Sequence, residues 1–251
     1  MVDPITAFGA ATAAFSAIKK AAELIDMTSH KGEHPRMGAT DVCPLIPISN
    51  VTVKECVKHS KVLARKVGKE LNIPVFLYEF SATNNDRINL ANIRNGEFEG
   101  MIDKLRLPEW KPDYGPEKPH AAAGVTAIGA RNFLIAYNIN LNTKDKKIAT
   151  DISLDIREQG RNKRDKHGKF IRDKHDIPIK APGILKSCKA VGWYIDEYGL
   201  AQVSMNLTNF NDTPPHVAFE ETRAQARKRG VRVSGSELVG LIPLESMITA
   251  G

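Results

Sequence analysis

The chain has 251 residues, of which 42% are hydrophobic and 26% are charged, and this composition is typical of one large globular domain or two small ones. No stretch approaches the roughly 18 apolar residues of a transmembrane helix, and the Ala-rich N-terminus lacks the basic cluster and cleavage site of a signal peptide. Three scattered cysteines indicate reduced thiols in a cytoplasmic protein and exclude a disulfide framework.

The first half of the chain predicts helices and strands without a clear opening strand. Asp3 and Pro4 suit the N-cap and the first position of a helix that continues to Met27. A strand follows over 42–48, and its two prolines place it at a sheet edge. The apolar spacing then predicts a helix over 52–71, a strand over 73–80, a short helix within 84–107 and a proline-rich connection over 108–119.

The second half predicts a strand, a helix, two strands, a helix and a strand, over 132–141, 144–158, 190–196, 200–210, 215–229 and within 231–244. This order is that of the split βαβ, ferredoxin-like arrangement. The first half shows only part of it. We therefore predict an α+β protein of two ferredoxin-like subdomains, 1–128 and 129–251, the first lacking its opening strands.

The nine residues His30 to Gly38 form the strongest functional signal, and we call them the signature loop. They combine two imidazoles, a carboxylate and two permanent cations on a backbone that Pro35 and two glycines keep out of a helix. His34 is predicted as a general acid/base because an imidazole exchanges protons near neutral pH. Lys31 and Arg36 would hold a substrate carboxylate. The alternative is a structural loop in which Glu33 pairs with Arg36.

Two further patterns in the chain fit known ligand sites only superficially. His30, Glu33 and His34 match a zinc-peptidase spacing, but that metal site needs a helix, which Gly32 and Pro35 disfavour, so no metal is predicted. The stretch 124–131 lacks the Gly-Lys-Ser/Thr ending of a phosphate loop. It is predicted to be a glycine-rich crossing between subdomains, where the backbone approaches a ligand or another strand closely.

The segment 157–189 carries the whole net charge of +7, because it holds eleven Lys and Arg but four Asp and Glu. One interpretation is a solvated, mobile loop, which is the usual fate of a charge run. The other is an electropositive surface for a polyanion. Nucleic acid is not expected, since Phe170 is the segment's one aromatic residue and base stacking is poorly provided for. A small ligand with several carboxylates fits better.

Several blocks of the chain resemble the formiminotransferase domain of the formiminotransferase-cyclodeaminase and glutamate formimidoyltransferase family. They are LIDMTSHKGEHPRMGATDVCPLIPI (24–48), KELNIPVFLYEF (69–80), GVTAIGARNFLIAYNINL (124–141), DIREQGR (155–161), AVGWYIDEYGLAQVSMNLTNF (190–210) and SELVGLIPLE (236–245). They span nearly the whole chain in the family's order.

The resemblance implies an enzyme that transfers a formimino group from N-formimino-L-glutamate to tetrahydrofolate in histidine degradation. The family's two ferredoxin-like subdomains hold the folate in an electropositive tunnel between them. The second histidine of its motif, the catalytic base, falls on His34. The family's folate-binding stretch falls on 115–124. The substrate-binding candidates besides Lys31 and Arg36 are Gly115, Pro116 and Gly124, which match that stretch, and Lys118, His120 and Arg131, which we add.

One departure from the family leaves other functions open. Family members begin with a further block and an acidic strand whose carboxylate assists the base, and this chain starts after both, so we expect an N-terminally truncated member. The alternatives are a folate-binding but inactive fragment, a related formyl-transferring enzyme and a polyanion-binding protein. An exposed partial sheet would favour association, so a homo-oligomer is expected.

Overall fold

The computed structural model describes residues 4–31 and 35–249, with side chains from residue 9 onward. The chain divides into two compact units, Met1–Asn132 and Phe133–Gly251, just beyond the predicted boundary. The α+β composition is confirmed, since helices accompany a parallel and an antiparallel sheet. The three cysteines are free thiols. None of the helices in the described ranges is long and apolar enough to cross a membrane.

The first unit packs helices on a parallel three-stranded sheet of order β1-β3-β2. Its elements are α1 (Pro4–Leu24), β1 (Val42–Leu45), α2 (Val53–Glu70), β2 (Val75–Glu79), α3 (Leu90–Arg94), α4 (Glu97–Lys104) and β3 (Thr126–Ala130). The predicted edge position of the first strand is confirmed, because β1 pairs with β3 and with no other strand in the part of the chain that the structure describes. A strand at 126–130 was not predicted, and β3 occupies the centre of the sheet. Gly129 permits the close approach, since a Cβ there would lie 2.2 Å from the Tyr78 carbonyl oxygen.

Helix α2 begins where its sequence dictates. Thr52 and Glu55 form a reciprocal capping box, in which the Glu55 amide donates to Thr52 Oγ1 at 3.2 Å and the Thr52 amide donates to Glu55 Oε2 at 2.8 Å. Leu63, Ala64 and Val67 lie on one face of the helix and are buried in the core of the first unit. The predicted helix over 52–71 is confirmed to within one residue at each end.

The second unit is an antiparallel four-stranded sheet of order β7-β8-β4-β9. Its elements are β4 (Ile135–Leu141), α5 (Lys146–Ile156), β5 (Arg161–Asn162), β6 (Lys180–Ala181), β7 (Cys188–Ile195), β8 (Leu200–Leu207), α6 (Pro215–Lys228), β9 (Val233–Val239) and α7 (Leu244–Ile248). The six main predicted elements are confirmed in their order. Gly192 lets α5 pack directly on β7, because a Cβ at this position would lie 2.1 Å from the Thr150 amide nitrogen.

The basic segment contains a hydrogen-bonded structure, which we call the basic trefoil (161–181). It contains an eight-residue repeat, RDKHGKFI at 164–171 and RDKHDIPI at 172–179, and each copy forms a tight turn. Asp165 Oδ1 accepts from the amides of His167 and Lys169, and Asp173 Oδ1 accepts equivalently from those of His175 and Ile177.

Three backbone hydrogen bonds join the two turns to the β5–β6 stem. The Ile171 amide donates to the Lys163 carbonyl at 3.0 Å, that of Ile179 to Ile171 at 2.8 Å, and that of Lys163 to Ile179 at 2.8 Å. The three bonds link Lys163, Ile171 and Ile179 in a closed ring. Most residues of the segment are exposed to solvent, as predicted. The hydrogen bonds between its backbone groups were not predicted from the charge run.

Candidate functional site

The signature loop connects α1 to β1 in the first unit. Gly32, Glu33 and His34 lie outside the described residues, so the predicted general acid/base is not placed. The residues on either side of them are well anchored. On the N-terminal side, Asp26 accepts from the amide and hydroxyl of Thr28, and these hydrogen bonds lower the pKa of the Asp26 carboxyl. The Met27 amide donates to the Ala122 carbonyl at 2.8 Å.

Arg36 anchors the C-terminal side of the loop through its guanidinium group. Nη1 donates to Glu97 Oε2 at 3.0 Å and to Glu99 Oε2 at 2.9 Å. Nη2 donates to Glu99 Oε1 at 2.7 Å and to the His30 carbonyl at 3.0 Å. The hydrogen bonds from Arg36 lower the pKa of Glu99 to about 2, so this carboxylate is ionised at neutral pH.

Asp41 makes a second ion pair just after the loop, with Arg94 at the end of α3. The Arg94 Nε donates to Asp41 Oδ2 at 2.7 Å, and its Nη2 contacts the same oxygen. Asp41 Oδ1 accepts from the Met37 amide at 2.9 Å. The carboxylate therefore holds the loop backbone and α3 together.

The turn 120–124 lies directly against the signature loop. Gly38 and Gly124 pair as an antiparallel bridge, and the Val125 amide donates to the Met37 carbonyl at 3.0 Å. Neither glycine has room for a side chain: a Cβ on Gly38 would lie 2.1 Å from the Val125 carbonyl oxygen, and one on Gly124 would lie 2.3 Å from that of Met37. Two of the predicted binding residues, His120 and Gly124, are thus brought to the loop.

His120 is oriented within that turn. Its Nδ1 accepts from the Ala123 amide at 3.0 Å, and its own amide and carbonyl pair with Gly124. Accepting this bond requires an unprotonated Nδ1, so a neutral ring carries its proton on Nε2. Because Nδ1 is occupied, Nε2 is the nitrogen with which His120 would donate to a ligand.

The other predicted binding residues occupy different surroundings. Gly115 has φ +88° and packs against α2, since a Cβ there would lie 3.2 Å from Gly68 Cα and 2.6 Å from the Ile73 carbonyl oxygen. Pro116 is half-buried and Lys118 is exposed, on the connection that runs toward the turn 120–124. Lys31 is exposed and lines an open cleft of about 420 Å³ together with Arg36, Gly96, Glu97 and Glu99.

The parallel sheet separates these residues into two groups. Three of the features lie at the amino ends of the strands: residues 37–38 of the signature loop near β1, the turn 120–124 at β3 and Gly115 near β2. Arg131 follows the carboxyl end of β3, where its amide donates to the Leu45 carbonyl at 3.1 Å. A strand of five residues spans about 16 Å, so Arg131 lies that far from the other residues, at the carboxyl ends of the strands.

The acidic residues around Arg36 were missed by the sequence interpretation. Glu97 and Glu99 belong to a stretch that predicted only a short helix and a loop. They lie 61 and 63 residues from Arg36 along the chain, and no local pattern links residues so far apart. A usable signal was the order of charges. In both segments a basic residue precedes an acidic one, Arg36 before Asp41 and Arg94 before Glu97 and Glu99. Two such segments that run antiparallel place opposite charges side by side.

The chain has a two-unit α+β fold, and a loop that contains a histidine packs at the amino ends of the strands of its first sheet. These two features limit the protein families to which the chain can belong. The formiminotransferase domain models match this chain, the N-terminal subdomain over residues 5–131 and the following subdomain over residues 136–251. The chain therefore belongs to the formiminotransferase family, and the resemblance found in the sequence is confirmed.

Similar proteins come from all three domains of life. The chain is 48% identical over 238 residues to the formimidoyltransferase-cyclodeaminase of Dictyostelium discoideum, covering 94% of this chain and 41% of that protein. It is 47% identical over 236 residues to the glutamate formimidoyltransferase of Streptococcus pyogenes serotype M1, covering 94% and 72%. The glutamate formimidoyltransferase of Thermoplasma acidophilum is 40% identical over 241 residues, covering 95% and 72%. The chain thus spans less than half of the Dictyostelium protein.

Proposed function

We propose that this chain transfers the formimino group of N-formimino-L-glutamate to tetrahydrofolate, in the cytoplasmic degradation of histidine. The observation that carries the proposal is the match of both formiminotransferase subdomains along the chain. The packing of Met37 and Gly38 against the turn 120–124 supports it, because these two residues of the signature loop contact the predicted folate-binding stretch.

In the proposed mechanism His34 moves one proton in each direction. Nitrogen five of tetrahydrofolate attacks the formimino carbon, and His34 accepts the proton that this nitrogen loses as the new C–N bond forms. His34 then returns a proton to the glutamate nitrogen as its bond to the same carbon breaks. Glutamate leaves with a neutral amine, and no metal or redox partner is needed for the balance.

The substrate carboxylates are assigned to basic groups of the first unit. Lys31 on the open cleft and Lys118 on the connection are exposed cations, and His120 presents Nε2. Gly115, Pro116 and Gly124 shape the backbone along the folate, and Arg131 would act at the other edge of the sheet. Tetrahydrofolate enters as a co-substrate and leaves carrying the formimino group.

We also propose that the second unit is ferredoxin-like. Its strands follow the order strand, helix, strand, strand, helix, strand, and its sheet places the first strand between the third and the fourth. That connectivity is the one expected of a split βαβ unit. A homo-oligomer is proposed through β1, because among the described residues only one side of this strand is paired and a strand of another copy could pair with the other side.

The test is a transferase assay with a matched histidine control. The wild-type chain should form the formimino adduct of tetrahydrofolate, and His34→Gln should lower kcat by about 10²–10⁴-fold, the usual contribution of a general acid/base. His30→Gln is the control, because the contact from Arg36 uses the His30 backbone carbonyl and survives the substitution. Undiminished turnover in His34→Gln would refute the mechanism.

The same assay separates the alternatives. Saturable binding of tetrahydrofolate without turnover would identify an inactive folate-binding fragment. Faster turnover with N-formylglutamate than with the formimino donor would identify a formyl transferase. Binding to a polyanion such as heparin that weakens steeply with salt, without any folate binding, would point to the basic trefoil as the functional surface.

A further inference from the structure

The terminal nitrogens of the Arg36 guanidinium group are occupied by described residues. They have four N–H groups, and the described acceptors within hydrogen-bonding distance are Glu97 Oε2, both carboxylate oxygens of Glu99 and the His30 carbonyl. The remaining donor, Nε, is buried and has no hydrogen-bond partner among the described residues. A substrate carboxylate that approached Arg36 would have to displace one of the two glutamates, which are already paired and ionised.

The contacts of Arg36 involve residues on both sides of 32–34 along the chain. Nη2 binds the His30 carbonyl, on the N-terminal side of residues 32–34. The Arg36 carbonyl accepts from the Phe98 amide at 2.8 Å, on the C-terminal side. One residue therefore fixes both ends of a short segment, and the first turn of α4 supplies the anchor.

The second ion pair extends this attachment. Arg36 binds Glu97 and Glu99 of α4, while Asp41 binds Arg94 of α3, so the loop and the α3–α4 region run antiparallel with alternating charge. We call these five side chains the loop clamp: Arg36 with Glu97 and Glu99, and Asp41 with Arg94. The clamp leaves the backbone from 36 to 41 little freedom.

The exposure of the partners shows what the clamp contributes. The side chain of Arg36 is 14% exposed, but those of Glu97 and Glu99 are 45% and 65% exposed. Ion pairs with such exposed partners contribute little to global stability. Their geometry, in contrast, decides where the loop backbone lies, and displacement of a reacting group by about 1 Å lowers rates by about 10²-fold.

We propose that Arg36 is a positioning residue, which together with Glu99 holds the described part of the signature loop, residues 30–31 and 35–38, against α4, and that it does not bind the substrate carboxylate. This assignment rests on the proposed function for its kinetic consequence only. The attachment of the loop to α4 is a structural claim that can be measured in a protein without activity.

The experiment compares Arg36→Gln, Glu99→Gln and Glu99→Asp with Asp103→Asn. Asp103 is the matched control, because it also lies on α4 and forms an ion pair, with Arg106, but both side chains are exposed and the pair includes no described residue of the loop. Hydrogen exchange is followed in peptides covering 27–41, and kcat and KM are measured for formiminoglutamate.

The proposal expects faster exchange in 27–41 for Arg36→Gln and Glu99→Gln, with kcat lowered about 10- to 100-fold and KM within about twofold. Glu99→Asp should restore part of both, and Asp103→Asn should change neither. A raised KM in Arg36→Gln with unchanged kcat and exchange would instead assign Arg36 to substrate binding. Unchanged exchange in every variant would show that no clamp exists, and if the wild type lacks transferase activity the exchange data alone decide.

Discussion

Gly124 offers the sharpest test of how the site is built, through the substitution Gly124→Ala. The residue has φ +68°, a conformation that costs an alanine roughly 1–2 kcal/mol. The added Cβ would also lie 2.3 Å from the Met37 carbonyl oxygen, 2.9 Å from a ring carbon of Phe98 and 3.0 Å from Gly38 Cα. Two of these three atoms belong to the backbone, so the signature loop itself must move.

The two costs can be separated with other glycines of the first unit. Gly96 has φ +94°, farther from the left-handed minimum near +57°, but the nearest atom to its Cβ would be 3.4 Å away. Gly96→Ala therefore carries the conformational penalty alone, about 1–2 kcal/mol. Gly124→Ala adds an overpacking cost of about 1–3 kcal/mol, for a total of roughly 2–5 kcal/mol. Gly100, inside α4 with nothing within 4 Å of its Cβ, should gain about 0.5–1 kcal/mol as alanine.

The assay is urea unfolding followed by fluorescence and circular dichroism, with transferase activity measured on the folded variants. The order of stability should be Gly100→Ala above the wild type, then Gly96→Ala, then Gly124→Ala. Gly124→Ala should also lose activity in its folded fraction, because the Met37 carbonyl must be displaced. If Gly124→Ala were as stable as Gly96→Ala and fully active, the proposed contact between the turn 120–124 and the signature loop would be wrong.

Three further predictions concern other parts of the chain. In the basic trefoil, Asp176 has φ +63° at the position where the first repeat has Gly168. Asp176→Gly should therefore stabilise the second unit by about 0.5 kcal/mol in thermal unfolding, and Gly168→Asp should destabilise it. Effects of the same sign would contradict the structural equivalence of the two repeats. Asp113→Ala should lower the free energy of unfolding, measured in urea, by about 3–5 kcal/mol. It leaves the buried Arg87 without its carboxylate partner and the Leu77 amide without its acceptor at 2.8 Å. A loss under 1 kcal/mol would show that the ion pair is dispensable. The pKa of Glu99 is lowered from 4.5 to about 2, so its contribution to loop anchoring is complete above pH 4.5 and is lost as the pH falls toward 2. The protection of amides in 27–41, taken relative to their intrinsic exchange rate at each pH, should fall over that range in the wild type and stay constant in Glu99→Gln.

The sequence by itself determined the elements whose signals are local. The capping box of Thr52 and Glu55 lies within one turn of the helix it begins, and Pro44 marks β1 as an edge strand because proline lacks the amide that a second neighbour would need. The repeat in the basic trefoil was equally visible in the letters RDKH, but interpretation by net charge concealed it. The family was recognisable because its blocks are long and contiguous.

Tertiary structure decided how the site is held together. The parallel sheet places β3 between β1 and β2, and only that order brings Gly124 against Gly38 and leaves Arg131 at the opposite edge. Among the described residues, the carboxylates that pair with Arg36 are those of Glu97 and Glu99, 61 and 63 residues away, and no local pattern linked them to it. Local patterns constrain only residues within a few positions of each other, whereas these contacts depend on how distant segments pack, and that packing is set by the free energy of the whole fold.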